Sequence, residues 1–274
     1  MRVPFSKMHG LGNDFVVLDG ITQDLQLDPK RIGQLGDRRT GVGFDQLLLV
    51  DLPTRPDADF RYVIYNADGS EAQQCGNGAR CFARFVLEQK LTTQKELTLE
   101  TNTGLIRSRL LNNGQVEIDM GEPKFTGPEL PAESNGASQF VESDGERFEF
   151  MAVSMGNPHA VIRVDDVMQT DVEGIGSRLT NHELFPEGVN VGFCQVLDDS
   201  FARLRVFERG VGETRACGTG ACAAAVAANL SGELGQRSKV SLPGGKLRIE
   251  WLGDGHSVKM TGPAVTVFRG ELKL

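Results

Sequence analysis

The chain has 274 residues, 39% hydrophobic and 24% charged, the mix of a soluble globular protein rather than a disordered tail. Its 29 Lys and Arg against 37 Asp and Glu leave a net charge of −8, the wrong sign for a nucleic-acid footprint. No apolar run reaches the roughly 18–20 residues of a membrane span, and no apolar signal segment follows Met1-Arg2-Val3-Pro4-Phe5. The expectation is a cytoplasmic protein that takes neither nucleic acid nor membrane as a partner.

Along the chain, alternating apolar and polar residues predict strands at 61–65, 97–101, 116–120, 203–207 and 246–250. Two segments read instead as buried helices, 79–89 and 221–230, each after a glycine-rich turn. The second is nearly all Ala, which suits a narrow helix packed on every side. Between them, Gly121 to Gly145 is rich in Pro, Gly, Ser and Glu and reads as a surface linker between two halves.

Five cysteines cannot form a fully paired disulfide framework, and no CxxC, HxxxH or HExxH occurs, so no metal is expected. The thiols are core fillers or reactive groups. Their neighbours separate the two cases. Cys75-Gly76-Asn77-Gly78-Ala79 recurs 142 residues on (75 to 217) as Cys217-Gly218-Thr219-Gly220-Ala221, and at that offset Arg61 meets Arg203, Glu71 meets Glu213 and Asn66 meets Glu208. At an offset of 144 (13 to 157), Gly12-Asn13 meets Gly156-Asn157 and Gln46 meets Asn190. Ordered anchors at nearly constant spacing predict a duplicated α/β unit, two similar domains about a pseudo-twofold axis, with one cysteine from each brought to one cleft.

A cysteine opening a helix sits where the backbone amides and the helix dipole favour an anion, which can lower a thiol's pKa from about 8.5 to roughly 3.5–7.5. Two such thiols on opposite faces of one carbon make an acid–base pair that inverts a stereocentre without a cofactor. Cys81, Cys194 and Cys222 read as core fillers. His159 could tune a thiol or simply pack. Asn13, Gln46, Asn66, Asn157 and Asn190 suit a substrate carrying both carboxylate and ammonium groups, and Glu208 and Arg209 suit a zwitterion. The residues alone leave open a duplicated binding protein with structural thiols.

The chain resembles the diaminopimelate epimerases. The likeness is carried by Phe5-Ser6-Lys7-Met8-His9-Gly10-Leu11-Gly12-Asn13-Asp14-Phe15, Asp45-Gln46-Leu47, Tyr65-Asn66-Ala67-Asp68-Gly69-Ser70, Gln74-Cys75-Gly76-Asn77-Gly78-Ala79-Arg80, Gly156-Asn157-Pro158-His159, Gly188-Val189-Asn190-Val191, Val206-Phe207-Glu208-Arg209-Gly210 and Glu213 to Gly220. It implies cofactor-independent conversion of LL- to meso-diaminopimelate, in lysine and peptidoglycan precursor synthesis, with Cys75 and Cys217 as the two bases. His159 and Glu208 would modulate the thiols. Substrate contacts would fall on Asn13, Gln46, Asn66, Gly76, Asn77, Asn157, Asn190, Glu208, Arg209, Gly218 and Thr219. The implied fold is a pair of domains, each a curved, mostly antiparallel strand layer around a central helix, with the last strand returning to the first domain. That gives residues 1–118 with 264–274 as one domain and 119–263 as the other. A homodimer is expected, with Phe268 as a contact candidate where dimeric relatives often carry Tyr. Another cofactor-independent racemase of this architecture, such as a proline racemase, would not need Arg209 and the amides for a second amino-acid end.

Overall fold

The computed structural model describes the chain except Met1, Asp24, Gln26, Gln73, Gln74, Glu133 and Leu274, so Gln74 of the motif above lies outside the described residues. The chain forms two compact units, Met1–Asp119 with Thr261–Leu274, and Met120–Met260. The fold is mixed α/β and rich in strands. No helix among the described residues is long and apolar enough to cross a membrane.

The first unit runs β1 (Arg2–Gly10), β2 (Asn13–Asp19), α1 (Pro29–Gly36), β3 (Gln46–Asp51), β4 (Phe60–Asn66), α2 (Gly76–Glu88), β5 (Glu96–Thr101), β6 (Gly104–Leu110) and β7 (Val116–Asp119). Neighbours pair antiparallel except β2 with β3 and β4 with β5, which are parallel. Parallel neighbours need a crossover rather than a tight turn. Helix α1 supplies the first and α2 the second. Asp28 caps α1, its carboxylate accepting from Arg31 N at 2.8 Å, and Pro29 opens the helix where no amide donor is needed. The buried Ile32 and Leu35 of α1 pack with Val16, Leu18, Phe44 and Leu47. Helix α2 packs against β1, β2, β3, β6 and β7.

The second unit repeats this order. It contains β8 (Ser138–Ser143), β9 (Glu146–Ser154), β10 (Pro158–Arg163), α3 (Val172–Leu179), β11 (Asn190–Asp198), β12 (Phe201–Glu208), β13 (Gly212–Thr214), α4 (Gly218–Leu230), β14 (Arg237–Leu242) and β15 (Gly245–Glu250). Among the described residues two pairs are again parallel, β10 with β11 across α3 and β12 with β14 across α4. Phe150, Phe185, Phe193 and Phe207 fill the core on the α3 side. The isolated bridge Tyr65↔Glu71 of the first unit has its counterpart in the pair Phe207↔Glu213 of the second, the same two positions at the 142-residue offset. The chain then passes through β16 (Lys259–Gly262) to β17 (Val265–Lys273), which pairs antiparallel with β1.

Two expectations change. Gly121–Gly145 is built into the second unit rather than left as a linker: Lys124 bridges Ser154, and residues 138–143 pair with β9. The buried Val141 anchors β8 among polar neighbours that hide the alternation. Both long helices also start three residues earlier than the sequence suggests, at Gly76 and Gly218. The Gly-x-Gly triplets form the first helical turn instead of the preceding loop, because each cysteine is itself the cap.

Candidate active site

Cys75 and Cys217 hold the same position in their units. Both are extended N-cap residues, with φ/ψ of −144°/110° and −114°/110°, and each Sγ accepts a hydrogen bond from the amide three residues on, Gly78 or Gly220, at 3.4 Å. A helix start leaves its first amides without intrahelical partners, so a sulfur there is drawn toward negative charge. The glycines keep room for this turn. A Cβ on Gly78 would overlap the Tyr62 hydroxyl, which donates to Cys75 O at 3.1 Å, while one on Gly220 would lie 3.1 Å from Val206.

In the first unit Cys75 is partly exposed, and its sulfur lies 3.6 Å from Asn13 Oδ1, which also accepts from Asn77 Nδ2 at 3.2 Å. Asn13 begins β2 just after Leu11 and Gly12, whose φ of 58° and 89° turn the chain from β1 into β2. Gln46 and Asn66 face each other across β3 and β4, Gln46 Nε2 donating to Asn66 Oδ1 at 3.0 Å. Asn66 Nδ2 in turn donates to Ser70 Oγ at 3.1 Å. Hydrogen bonds thus link Cys75, Asn13 and Asn77 in one group and Gln46 and Asn66 in another.

In the second unit Cys217 is 4% exposed, and Thr219 Oγ1 lies 3.6 Å from its sulfur. Burial first, then the Glu208 carboxylate, push this thiol well above its ordinary range, and the bonds from Thr219 and Gly220 do not offset them. The lowering expected from a helix N-terminus is overturned here because desolvation penalises the thiolate more than one amide and one hydroxyl favour it. Cys217 is a thiol at neutral pH in this structure. Glu208 accepts from Thr214 Oγ1. Asn190 is held on both sides, accepting from Arg209 N and donating to Pro158 O, each at 3.0 Å. Arg209 is exposed and donates to Glu187 O. Asn157 follows Gly156, whose φ of 89° equals that of Gly12, and its Oδ1 lies 3.1 Å from His159 Nε2.

His159 is buried, and burial drives its pKa down to about 3, so the imidazole is neutral at neutral pH. It therefore carries no charge with which to tune a thiol at neutral pH. Among the described residues its Nδ1 has no hydrogen-bond partner. Gly76, Asn77, Gly218 and Thr219 all lie in first helical turns. Cys81, Cys194 and Cys222 are fully buried, and burial raises Cys81 to about 12 and Cys194 to about 11, as core fillers should be. Phe268, on β17, is 49% exposed and meets the Phe5 ring edge-on at 5.9 Å.

Charged residues that the sequence did not single out surround Asn13. Arg38 reaches Asp14 at 2.6 Å and Asp45 at 2.7 Å, and Lys7 reaches Asp14 at 2.5 Å. Arg80, fully buried, donates to Asn77 Oδ1 at 2.7 Å and to the carbonyls of Gly76 and Pro263. The signal available in the sequence was asymmetry: at the 142-residue offset Arg80 meets Cys222, so a charge in the first turns of one helix stands against a small apolar group in the other.

The family model for diaminopimelate epimerase matches residues 5–126 and 151–267. The chain is 56% identical to diaminopimelate epimerase of Ectopseudomonas mendocina (strain ymp) and 55% identical to that of Pseudomonas savastanoi pv. phaseolicola, over 100% of both chains in each case. Among solved structures, a probable proline racemase from Agrobacterium radiobacter K84 superposes with a TM-score of 0.72 at 18% identity, covering 99% of this chain and 93% of that one. At that identity the superposition shows a shared fold alone. The repeated helix-capping cysteines and the full-length match together establish that the chain belongs to the diaminopimelate epimerase family.

Proposed function

We propose that the chain interconverts LL- and meso-diaminopimelate by cofactor-independent proton transfer, with Cys75 and Cys217 as the two bases. In one direction a thiolate takes the α-proton, leaving a carbanion, and the opposed thiol returns a proton to the other face of that carbon. Each turnover exchanges which sulfur carries the proton, so both directions use the same groups. The negative charge spreads onto the substrate carboxylate, which the first-turn amides around Gly76, Asn77, Gly218 and Thr219 would stabilise. The observation that carries this reading is the equal placement of the two sulfurs, each an N-cap accepting from its third amide at 3.4 Å.

The remaining residues take roles in binding. Asn13, Gln46, Asn66, Asn157 and Asn190 offer donors and acceptors to a molecule with two amino-acid ends. Arg209 clamps the carboxylate that does not react, through paired hydrogen bonds that a lysine cannot reproduce. Arg209→Lys should lower kcat/KM on diaminopimelate by about 10- to 100-fold, mostly through KM; near-normal kinetics would remove the clamp. Glu208 and His159 tune Cys217, Glu208 by its charge and His159 as a neutral group.

The enzyme works in the cytoplasm, where reducing conditions keep both thiols free. It acts as a homodimer through β17, whose exposed Val265, Val267 and Phe268 form an apolar strip. Phe268→Asp should yield monomers in sedimentation experiments at concentrations where the parent chain is dimeric.

The decisive test is proton NMR of diaminopimelate in D2O with the reduced protein and no added cofactor. Loss of the α-proton signal with interconversion of the isomers is expected. No exchange over hours, with the protein folded and both thiols free, would overturn the proposal.

A further inference from the structure

We propose that Arg80 and Asp45 are positioning residues that fix the orientation of the Asn77 and Asn13 amides, and so fix which atom of Asn13 faces Cys75. A carboxamide has nearly the same shape in its two flipped orientations, and only its partners decide between them. Here the partners at the two ends leave no choice. Arg80 carries donors only, so the Asn77 end that meets Nη2 at 2.7 Å must be Oδ1. Asp45 carries acceptors only, so the Asn13 end that meets its Oδ2 at 2.9 Å must be Nδ2. The two remaining ends, Asn77 Nδ2 and Asn13 Oδ1, meet at 3.2 Å with the right polarity. The chain from Arg80 through Asn77 and Asn13 to Asp45 is therefore consistent from end to end, and it turns Asn13 Oδ1 toward the sulfur of Cys75 at 3.6 Å.

Both ends are themselves anchored. Arg80 is fully buried, tied to the carbonyls of Gly76 and Pro263, and Gly10 leaves the space for it: a Cβ there would sit 3.0 Å from Nη2 and 3.3 Å from Asn77. Asp45 and Asp14 hold each other reciprocally, Asp14 N donating to the Asp45 carboxylate at 3.0 Å and Asp45 N to the Asp14 carboxylate at 3.1 Å. Arg38 spans both carboxylates, and Lys7 closes on Asp14. Charge-assisted bonds of this kind are the strong ones, so neither end can rotate away cheaply. The second unit has no such chain: Cys222, Thr219 and Val189 stand where the repeat places Arg80, Asn77 and Asp45.

An oxygen facing the sulfur accepts from the thiol and opposes the thiolate, so the wiring holds Cys75 to a defined proton geometry instead of leaving a freely flipping amide beside it. The inference rests on the roles given above to Asn13 and Cys75, and its test is separate from turnover. The rate of iodoacetamide alkylation, resolved by mass spectrometry to Cys75 and Cys217, is measured at fixed pH in five proteins: the parent chain, Asp45→Ala, Asp45→Asn, Asn13→Ala and Asn13→Ala/Asp45→Ala. Asp45 has a 44% exposed side chain, so its truncation removes little packing, and thermal unfolding checks each variant.

Asp45→Ala removes the charge-assisted hold on Asn13 Nδ2 and leaves the 3.2 Å contact with Asn77 alone to set the amide, so Asn13 presents Nδ2 to the sulfur part of the time and Cys75 alkylation should rise about fivefold, with Cys217 unchanged. Asp45→Asn removes the same charge but keeps an oxygen for Asn13, and should stay within about twofold of the parent. In the Asn13→Ala background the Asp45→Ala effect should vanish, which a merely structural or long-range electrostatic role would not produce. Equal effects of Ala and Asn at position 45, no effect of either, or an effect that persists without Asn13 would each overturn the proposal.

Discussion

The two cysteine sites share a backbone and differ in almost everything charged. Cys75 and Cys217 cap equivalent helices with the same 3.4 Å amide bond, and the loops before their asparagines turn at glycines with φ of 89° in both units. Around that common frame, the first site places neutral Asn66 where the second has Glu208, buried Arg80 where the second has Cys222, and Phe15 where the second has His159. Cys75 is partly exposed and Cys217 is buried. Duplication thus preserves what glycine and the helix start dictate, while side-chain charge is free to diverge. The divergence surrounds two equivalently placed thiols with different charges and different burial.

The most severe way to break the equivalence is to remove either sulfur. Cys75→Ser and Cys217→Ser should each lower epimerisation by about a thousandfold or more, since a serine hydroxyl does not ionise near neutral pH. Retention of full activity by either variant, measured by α-proton exchange, would show that one site suffices.

A second comparison uses the glycines two positions into each helix. Gly78→Ala drives a methyl group into the buried Tyr62 hydroxyl and should cost about 2–3 kcal/mol of stability. Gly220→Ala meets Val206 at 3.1 Å, and the gain in helix propensity from replacing glycine should hold its cost below about 1 kcal/mol. Denaturant unfolding of the two variants measures the difference, and equal costs would mean that the two helix starts are packed alike.

Glu208→Gln sharpens the electrostatic contrast. Burial is the larger cause of the raised Cys217 pKa and persists in the variant, but the carboxylate contribution is removed. Since a nearby negative charge disfavours the thiolate, the pH profile of Cys217 alkylation should move toward lower pH, while that of Cys75 stays in place.

The smallest effect concerns the ion network in the first unit. Burial by itself would raise Asp14, yet hydrogen bonds from Arg38 and Lys7 and their charges hold it down at about 2, against 3.8 for a free aspartate. A depressed carboxylate pKa contributes stability above about pH 4 and loses it as pH falls through 2. Asp14→Asn should therefore be less stable than the parent by about 1 kcal/mol at pH 7, a figure reduced for the solvent screening of a half-buried group, and the gap should close near pH 2. Thermal unfolding against pH tests both the size and the direction.

Much of the frame was legible in the residues. The strand at 61–65 is the centre of β4 and that at 203–207 lies within β12, because alternation with a period of two survives wherever one face is buried. The repeat aligns Gln46 with Asn190 and Asn66 with Glu208, while the strand register alone sets Gln46 opposite Asn66. The sequence suggests helix starts three residues late for a local reason: glycine signals a turn by propensity, and only the capping bond to each sulfur draws it into the helix. Strand β8 was missed because its single fully buried residue, Val141, is too little pattern to detect.

What the sequence determined by itself was therefore the class of fold, the duplication, the paired cysteine motifs and the family, because each is encoded in local periodicity or in the order of short motifs. The tertiary structure decided the state of the groups. Burial makes Cys217 a thiol and His159 neutral, and the meeting of Arg80, Asn77, Asn13 and Asp45 sets the direction in which two amides point. Desolvation and amide orientation depend on neighbours that lie up to 67 residues apart in the chain (13 to 80), and no local pattern records which of them meet.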